Sequence, residues 1–272
     1  MHTIQEVLKN STEYLQKKGL ENARQKVERL LSHVLQLPRV DLYLNFEKPI
    51  EEKELEILRT SLQRLGKGEP LAQVLGSVEF YHCQIVITPD VLIPRPETEE
   101  LVEKLAKEVK GGELWDICTG SGCIAIALKK ACPSLHVVAV DISEKALAVA
   151  KMNAALNDVT IEFLQGDLFS PLIERKADVI VSNPPYVSKN EYDTLDPSVR
   201  DFEPKLALLG GEDGLEFYRR FQKEIKNYLK PKGRFLAEIG ATQSEKIVSL
   251  FGEGTILSDM SGKKRFFSLE NE

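Results

Sequence analysis

The residues best equipped for chemistry in this chain are Asn183-Pro184-Pro185-Tyr186, which directly follow the apolar run Val179-Ile180-Val181-Ser182. Such a run reads as a buried strand of a parallel sheet. Neither proline can donate to a strand ladder, so the strand ends there. An amide, a stiff turn and an aromatic ring thus sit at the carboxyl end of a strand, where open α/β sheets bind ligands. The Asn183 side chain offers a carbonyl acceptor. Pro184 removes an N–H and leaves a peptide carbonyl. Two fixed acceptors suit a planar –NH2 group, and Tyr186 offers a face on which the plane carrying that group can stack. An amide or aryl amine is a poor nucleophile because its lone pair is delocalised. Gripping both hydrogens would aim that lone pair at an electrophile, which is catalysis by positioning and electrostatics. Asn183, Pro184 and Tyr186 are therefore the candidate catalytic group, and Asn183 to Tyr186 the candidate substrate site.

A second constellation lies upstream. Glu113–Cys118 reads as a strand, followed by Thr119-Gly120-Ser121-Gly122 and a helix over Cys123–Lys130. Glycines between a strand and a helix let the backbone approach a ligand that faces the helix amino terminus. Gly120-Ser121-Gly122-Cys123-Ile124-Ala125 also fits the relaxed dinucleotide fingerprint. The next strand, Leu135–Val140, ends in Asp141, about twenty residues past the glycines, where an acid accepts hydrogen bonds from ribose hydroxyls. Ser143 is placed to cap the helix running to about Asn157. After a third strand, Thr160–Leu164, Asp167 is a candidate acceptor for an adenine amino group and Leu168 a cover for the adenine face. In Pro94-Arg95-Pro96-Glu97-Thr98-Glu99-Glu100, Pro96 and the acids suit a helix start. Arg95 or Thr98 is the residue expected to face the cofactor.

Strands alternating with helices give an α/β, doubly wound, mostly parallel sheet. The later elements are a helix from about Leu215 to Leu229, a turn at Lys230–Gly233, a strand at Arg234–Ile239, a helix at Thr242–Phe251 and a terminal hairpin with an antiparallel strand. Residues 1–70 show helical periodicity: Ile4, Val7, Leu8 and Leu15; Ala23, Val27, Leu30, Leu31 and Val34; Leu55, Leu58, Leu62 and Leu65. They read as a small amino-terminal bundle that grips a protein partner. Residues 71–95 read as a linker of short β-hairpins, and 96–272 as the catalytic domain.

The 272 residues suffice for one large domain and a small one. A net charge of -6 argues against a nucleic-acid partner. The four cysteines form no CxxC pair, which argues against zinc and disulfide frameworks and predicts no metal and a reducing cytoplasm. The amino terminus lacks a signal-peptide pattern, and no apolar run is long enough to span a membrane.

Together the Gly-Ser-Gly loop, Asp141 and Asn-Pro-Pro-Tyr resemble class I S-adenosylmethionine-dependent amino-methyltransferases, which implies a Rossmann-like, seven-stranded sheet. Glu69-Pro70-Leu71, Ile93–Glu99, Asn183–Tyr186, Glu203-Pro204, Ala207-Leu208, Gly210–Leu215 and Glu238-Ile239-Gly240 narrow the match. They resemble the peptide chain release factor glutamine methyltransferases, the HemK/PrmC family. The resemblance implies methyl transfer from S-adenosylmethionine to the side-chain amide nitrogen of the glutamine in a release factor's Gly-Gly-Gln motif. It assigns Cys118, Thr119, Gly120, Ser121 and Gly122 to the methionine part of the cofactor, Asp141 to its ribose, Leu168 to its adenine, and Asn183 to both cofactor and glutamine. Cys118 departs from the family's usual glycine, and Leu168 from an aromatic ring in some members. The partners implied are release factors, met by a monomer. Two other readings fit the same residues: a methyltransferase acting on an exocyclic amine of adenine or guanine in DNA or RNA, and a cofactor-binding regulator without chemistry.

Overall fold

The computed structural model describes residues 2–272. The chain divides into two compact units, one formed by residues up to Gly76 with Pro197–Phe202, the other by Ser77–Asp196 with Glu203–Glu272.

The first unit is helical: α1 (Ile4–Lys17), α2 (Ala23–Leu35), α3 (Arg39–Leu44), α4 (Glu52–Gly66) and α5 (Leu71–Leu75). Thr3 and Glu6 form a capping box at the start of α1. The buried residues of α1, Ile4, Leu8, Ser11 and Leu15, recur at helical spacing, and its three apolar ones join Val27, Leu30, Leu31, Leu55 and Leu58 in one core. Glu28 is buried here, and its carboxylate accepts from Arg24, Arg39 and Tyr43. Those donors hold its pKa below the usual range although burial pushes the other way. The expected linker from residue 71 is displaced: Leu71, Val74 and Leu75 pack on the helical core. Helix α5 begins after Pro70, whose fixed φ suits a helix start, and ends at Gly76 with φ +76°.

The second unit opens with one hairpin, β1 (Ser77–Phe80) against β2 (Cys83–Val86), where the sequence pattern predicts short hairpins up to residue 95. Then follow α6 (Pro96–Glu108), β3 (Gly112–Ile117), α7 (Cys123–Ala131), β4 (Leu135–Asp141), α8 (Glu144–Leu156), β5 (Glu162–Gln165) and β6 (Ala177–Ser182). Three short helices come next, α9 (Lys189–Asp193), α10 (Pro197–Arg200, in the first unit) and α11 (Lys205–Leu208). The chain ends with α12 (Glu216–Tyr228), β7 (Leu229–Glu238), α13 (Ser244–Phe251), β8 (Thr255–Ser258) and β9 (Lys264–Glu270).

The sheet has seven strands in the order β5-β4-β3-β6-β7-β9-β8. All neighbours are parallel except β9, which runs antiparallel to β7 and β8. The doubly wound, mostly parallel sheet expected from the sequence is thus present, and its order reverses between β3 and β6. That switch point places the carboxyl ends of β3, β4 and β6 around one crevice. Strand β7 pairs with β6 at Leu229 and again from Arg234, so the expected turn at residues 230–233 is an irregularity within the strand, with Lys232 and Gly233 bonded to Asn271. Trp115, Ile117, Val138, Val140, Ile180, Phe221, Phe235 and Phe267 fill one core cluster.

Helix α8 also serves the hairpin. Asn153 accepts from the Val86 N–H at 2.8 Å and donates to the Val86 carbonyl at 3.2 Å. Asn157, one turn on, does the same for Gln84, at 3.2 and 2.8 Å. The two amides behave as a strand beside β2. Among the described residues, no helix is long and apolar enough to cross a membrane.

Candidate active site

The loop from β3 to α7 turns sharply, with Cys118, Gly120 and Gly122 at φ of +64°, +56° and +80°. A Cβ on Gly122 would lie 3.0 Å from the Ala150 Cβ, so glycine there lets the loop sit against α8. A Cβ on Gly120 would meet nothing within 4 Å; that backbone faces open space. Asp116, at the end of β3, braces the loop from below. Its Oδ2 accepts from Thr119 Oγ1 at 2.6 Å and from the Ala125 N–H at 3.2 Å. Its Oδ1 is buried without a partner, and burial raises this carboxyl to about 7. Asn153 donates to the Ser121 carbonyl at 2.9 Å.

Asp141, at the end of β4, holds the same loop from the side. Its Oδ2 accepts the Gly120 N–H at 2.8 Å and its Oδ1 the Ser143 N–H at 2.9 Å. Burial pushes its carboxyl upward, and those backbone donors pull it back. Ser143 caps α8 by accepting from the Ala146 N–H, as its spacing predicts.

Asn183 follows β6. Its Nδ2 donates to Thr98 Oγ1 at 3.2 Å, and Thr98 Oγ1 donates to Glu238 Oε2 at 2.6 Å. The Tyr186 hydroxyl donates to Glu238 Oε1 at 3.2 Å. The turn that carries them is held from behind: Gln243 Nε2 donates to the Tyr186 carbonyl at 2.9 Å. A Cβ on Gly210 would lie 2.5 Å from the Pro185 carbonyl oxygen, so only glycine permits this approach.

These elements enclose a cleft of about 240 Å³, small-molecule sized. Cys118, Thr119, Gly120, Ser121, Asp141, Asp167, Leu168 and Asn183 line it, with Pro185 and Thr98. Gly122, Pro184 and Tyr186 are not on its wall. Gly122 packs beneath the loop, Pro184 is buried, and Tyr186 packs on the main core with its hydroxyl on Glu238. Arg95 is also off the wall. Its guanidinium donates to Glu203 at 2.6 Å, and the same carboxylate accepts the Ile93 N–H. Of the two residues expected to face a cofactor, Thr98 reaches the cleft.

Helix α12 adds wall residues that sequence reasoning missed. Phe217 lines the cleft, and Arg220, 2.8 Å from Asp167 Oδ1, lines it too. The carboxylate singled out for an adenine amine therefore already carries a cation. Phe217 supplies an aromatic face in the cleft that Leu168 lacks. Helical amphipathicity marks Phe217 as a core candidate and Arg220 as polar face; contacts across the chain link both to this cleft. Burial raises the Cys123 thiol to about 12 and pushes Cys118 up as well, so neither is a thiolate nucleophile.

Comparison with known proteins agrees with this geometry. A family model for the methyltransferase small domain matches residues 96–199, and one for the PrmC N-terminal domain matches residues 6–76. The release factor glutamine methyltransferase of Geobacter sulfurreducens is 44% identical over 92% of this chain and 88% of its own length. That of Bacillus subtilis is 39% identical over 97% of this chain and 96% of its own. A methyltransferase structure from Pyrococcus furiosus aligns with a TM-score of 0.54 at 18% identity, covering 78% of this chain and 97% of that one, which shows a shared fold. With the sheet order, the loop at β3 and the Asn-Pro-Pro-Tyr turn all in place, this chain belongs to the release factor glutamine methyltransferase family.

Proposed function

We propose that this protein methylates the side-chain amide nitrogen of the glutamine in the Gly-Gly-Gln motif of peptide chain release factors. The observation that carries the reading is the state of Asn183. It shares a cleft with Asp141 and the glycine loop, and its –NH2 is committed to Thr98, so its Oδ1 is the atom left to accept a hydrogen bond.

The cleft fits S-adenosylmethionine. Open space over Gly120 admits a ligand against the backbone. The Asp141 carboxylate has lone pairs beyond the two it gives to the backbone, for a ribose diol. Leu168, Ile142 and Phe217 give apolar cover for a purine. S-adenosylmethionine, when bound, supplies an electrophilic methyl group on its sulfonium.

The chain's own residues act on the other reactant. Asn183 Oδ1 and the Pro184 carbonyl hold the two hydrogens of the substrate amide. The lone pair of that nitrogen is thereby directed out of the amide plane rather than left to rotate. The stiff backbone of Pro184 and Pro185, braced by Gln243 and Gly210, fixes the spacing of these acceptors. A strong base is not required, because the amide proton becomes acidic as the nitrogen acquires its fourth bond, and it can leave to water.

The helical unit, residues 1–70 with α5, contacts the release factor. The enzyme works in the cytoplasm as a monomer. Mass spectrometry after incubation with cofactor and a release factor tests the reading. A gain of about fourteen daltons on the glutamine peptide is expected. Methylation of DNA or RNA instead, with release factor untouched, overturns it.

A further inference from the structure

Thr98 and Glu238 come from α6 and the end of β7, 140 residues apart, and both are buried, at 2% and 1% exposure. A buried carboxylate is costly unless its oxygens are hydrogen-bonded. Here each oxygen receives one hydroxyl: Oε2 that of Thr98, Oε1 that of Tyr186. The Tyr218 hydroxyl, 2.6 Å from the Glu238 backbone carbonyl, holds the residue's main chain.

The chemistry of these groups allows one direction of donation. Burial pushes the Glu238 carboxyl upward and the Thr98 and Tyr186 hydroxyls pull it back; in its ionised form it can only accept. Thr98 must therefore spend its single hydrogen on Glu238, and can only accept from Asn183. The atom of Asn183 that faces Thr98 at 3.2 Å is then necessarily the –NH2. The carboxamide is locked with its Oδ1 toward the cleft. Turned over by 180°, it would present two donors to a substrate that itself brings two donors.

We propose that Thr98 and Glu238 are positioning residues that set which end of the Asn183 carboxamide meets the substrate amide. The inference rests on the proposed function for the identity of that substrate. The orientation of Asn183 is a property of the protein alone. Glu238, through its second oxygen, also fixes the Tyr186 ring. One buried carboxylate thus orients two members of the Asn-Pro-Pro-Tyr turn.

Thr98→Val removes both the donor to Glu238 and the acceptor for Asn183 at nearly constant shape. Thr98→Ser retains both. With release factor as substrate, Thr98→Val is expected to lower kcat by about 10- to 100-fold, a misplacement penalty. KM for the release factor moves less than threefold, and Thr98→Ser restores kcat to within about threefold of wild type. A kcat for Thr98→Val within threefold of wild type overturns the proposal, and so does a Thr98→Ser as slow as the valine variant. Glu238→Gln carries the same test if the valine variant does not fold. Its side chain presents one oxygen where two hydroxyls need acceptors, so kcat falls while cofactor affinity, measured by calorimetry, stays within threefold. An unchanged kcat there is equally fatal.

A second readout needs no turnover. In 1H–15N spectra the Asn183 side-chain amide signals are identified by their loss in Asn183→Asp. They are expected to shift in Thr98→Val and to stay in place in Thr98→Ser. If wild type fails to methylate a release factor while these shifts appear, the substrate reading fails and the orienting role stands. If methylation is normal and the signals do not move in the valine variant, the orienting role fails.

Discussion

Asp141→Asn separates two duties that one carboxylate performs. Each carboxylate oxygen takes a backbone N–H, that of Gly120 at 2.8 Å and that of Ser143 at 2.9 Å. An asparagine has one oxygen, so one of the two N–H groups would face an –NH2. A hydrogen bond to a charged group contributes about 1.5–3 kcal/mol, and a buried donor left unsatisfied costs a similar amount. The variant should therefore lose about 2 kcal/mol of stability. For a domain of this size that lowers Tm by about 4–8 °C. The ribose diol then meets a neutral acceptor on a slackened loop, and loss of one charge-assisted bond weakens the cofactor's Kd by about 10- to 100-fold. Differential scanning fluorimetry without cofactor reads the first effect, and isothermal titration with S-adenosylmethionine the second. A lower Tm with Kd unchanged within threefold would show that Asp141 serves the loop alone. A weakened Kd with Tm unmoved would refute the bracing argument.

Asn183→Ala should reduce methylation of the release factor by about 10²-fold or more, the loss expected for one oriented polar group; a wild-type rate by mass spectrometry refutes the acceptor role. Asp116 supplies a pH signature. Its folded pKa of about 7 lies above the ordinary carboxylate range, so the fold holds a proton that the unfolded chain has released. That contribution to stability is complete below about pH 4 and drains away as pH rises to about 7. Asp116→Asn cannot ionise, so from pH 5 to pH 8 its stability should gain about 3 kcal/mol on wild type; a constant difference in chemical denaturation refutes it. Cys118 holds φ +64° without being glycine. Cys118→Val should cost about 1–2 kcal/mol from β-branching in the left-handed region, with Cys118→Gly close to neutral; equal melting temperatures would remove the backbone argument.

Much of this layout is legible in local pattern. Strands β4 and β6 are buried on both faces and so read as apolar runs, and Asp141 and Asn183 stand where those runs stop. The loop Cys118–Gly122 is legible because glycine marks a left-handed turn. What escapes local reading is pairing over distance. The Thr98–Glu238 bond spans 140 residues and Arg95–Glu203 spans 108, and nothing in either neighbourhood names its partner. Arg220 looks like the polar face of α12 until its contact with Asp167 places it on the cleft wall. Helix α5 was read as linker because five residues carry too little periodicity, and the packing of Leu71, Val74 and Leu75 decides their state. Tyr186 reads as a stacking platform, whereas its hydroxyl ties it to Glu238.

The amide pair on α8 has a consequence for how the hairpin behaves in a crowded cell. A lone two-stranded ribbon ordinarily invites a third strand from any passing chain. Here Gln84 and Val86 already have their outward N–H and carbonyl groups claimed by Asn157 and Asn153. On its β2 edge the ribbon is closed to recruitment by a helix that imitates a missing neighbour. The same Asn153 also grips the Ser121 carbonyl, so peeling the ribbon away would loosen the loop between β3 and α7 as well, joining self-association and distortion of the cleft into one failure.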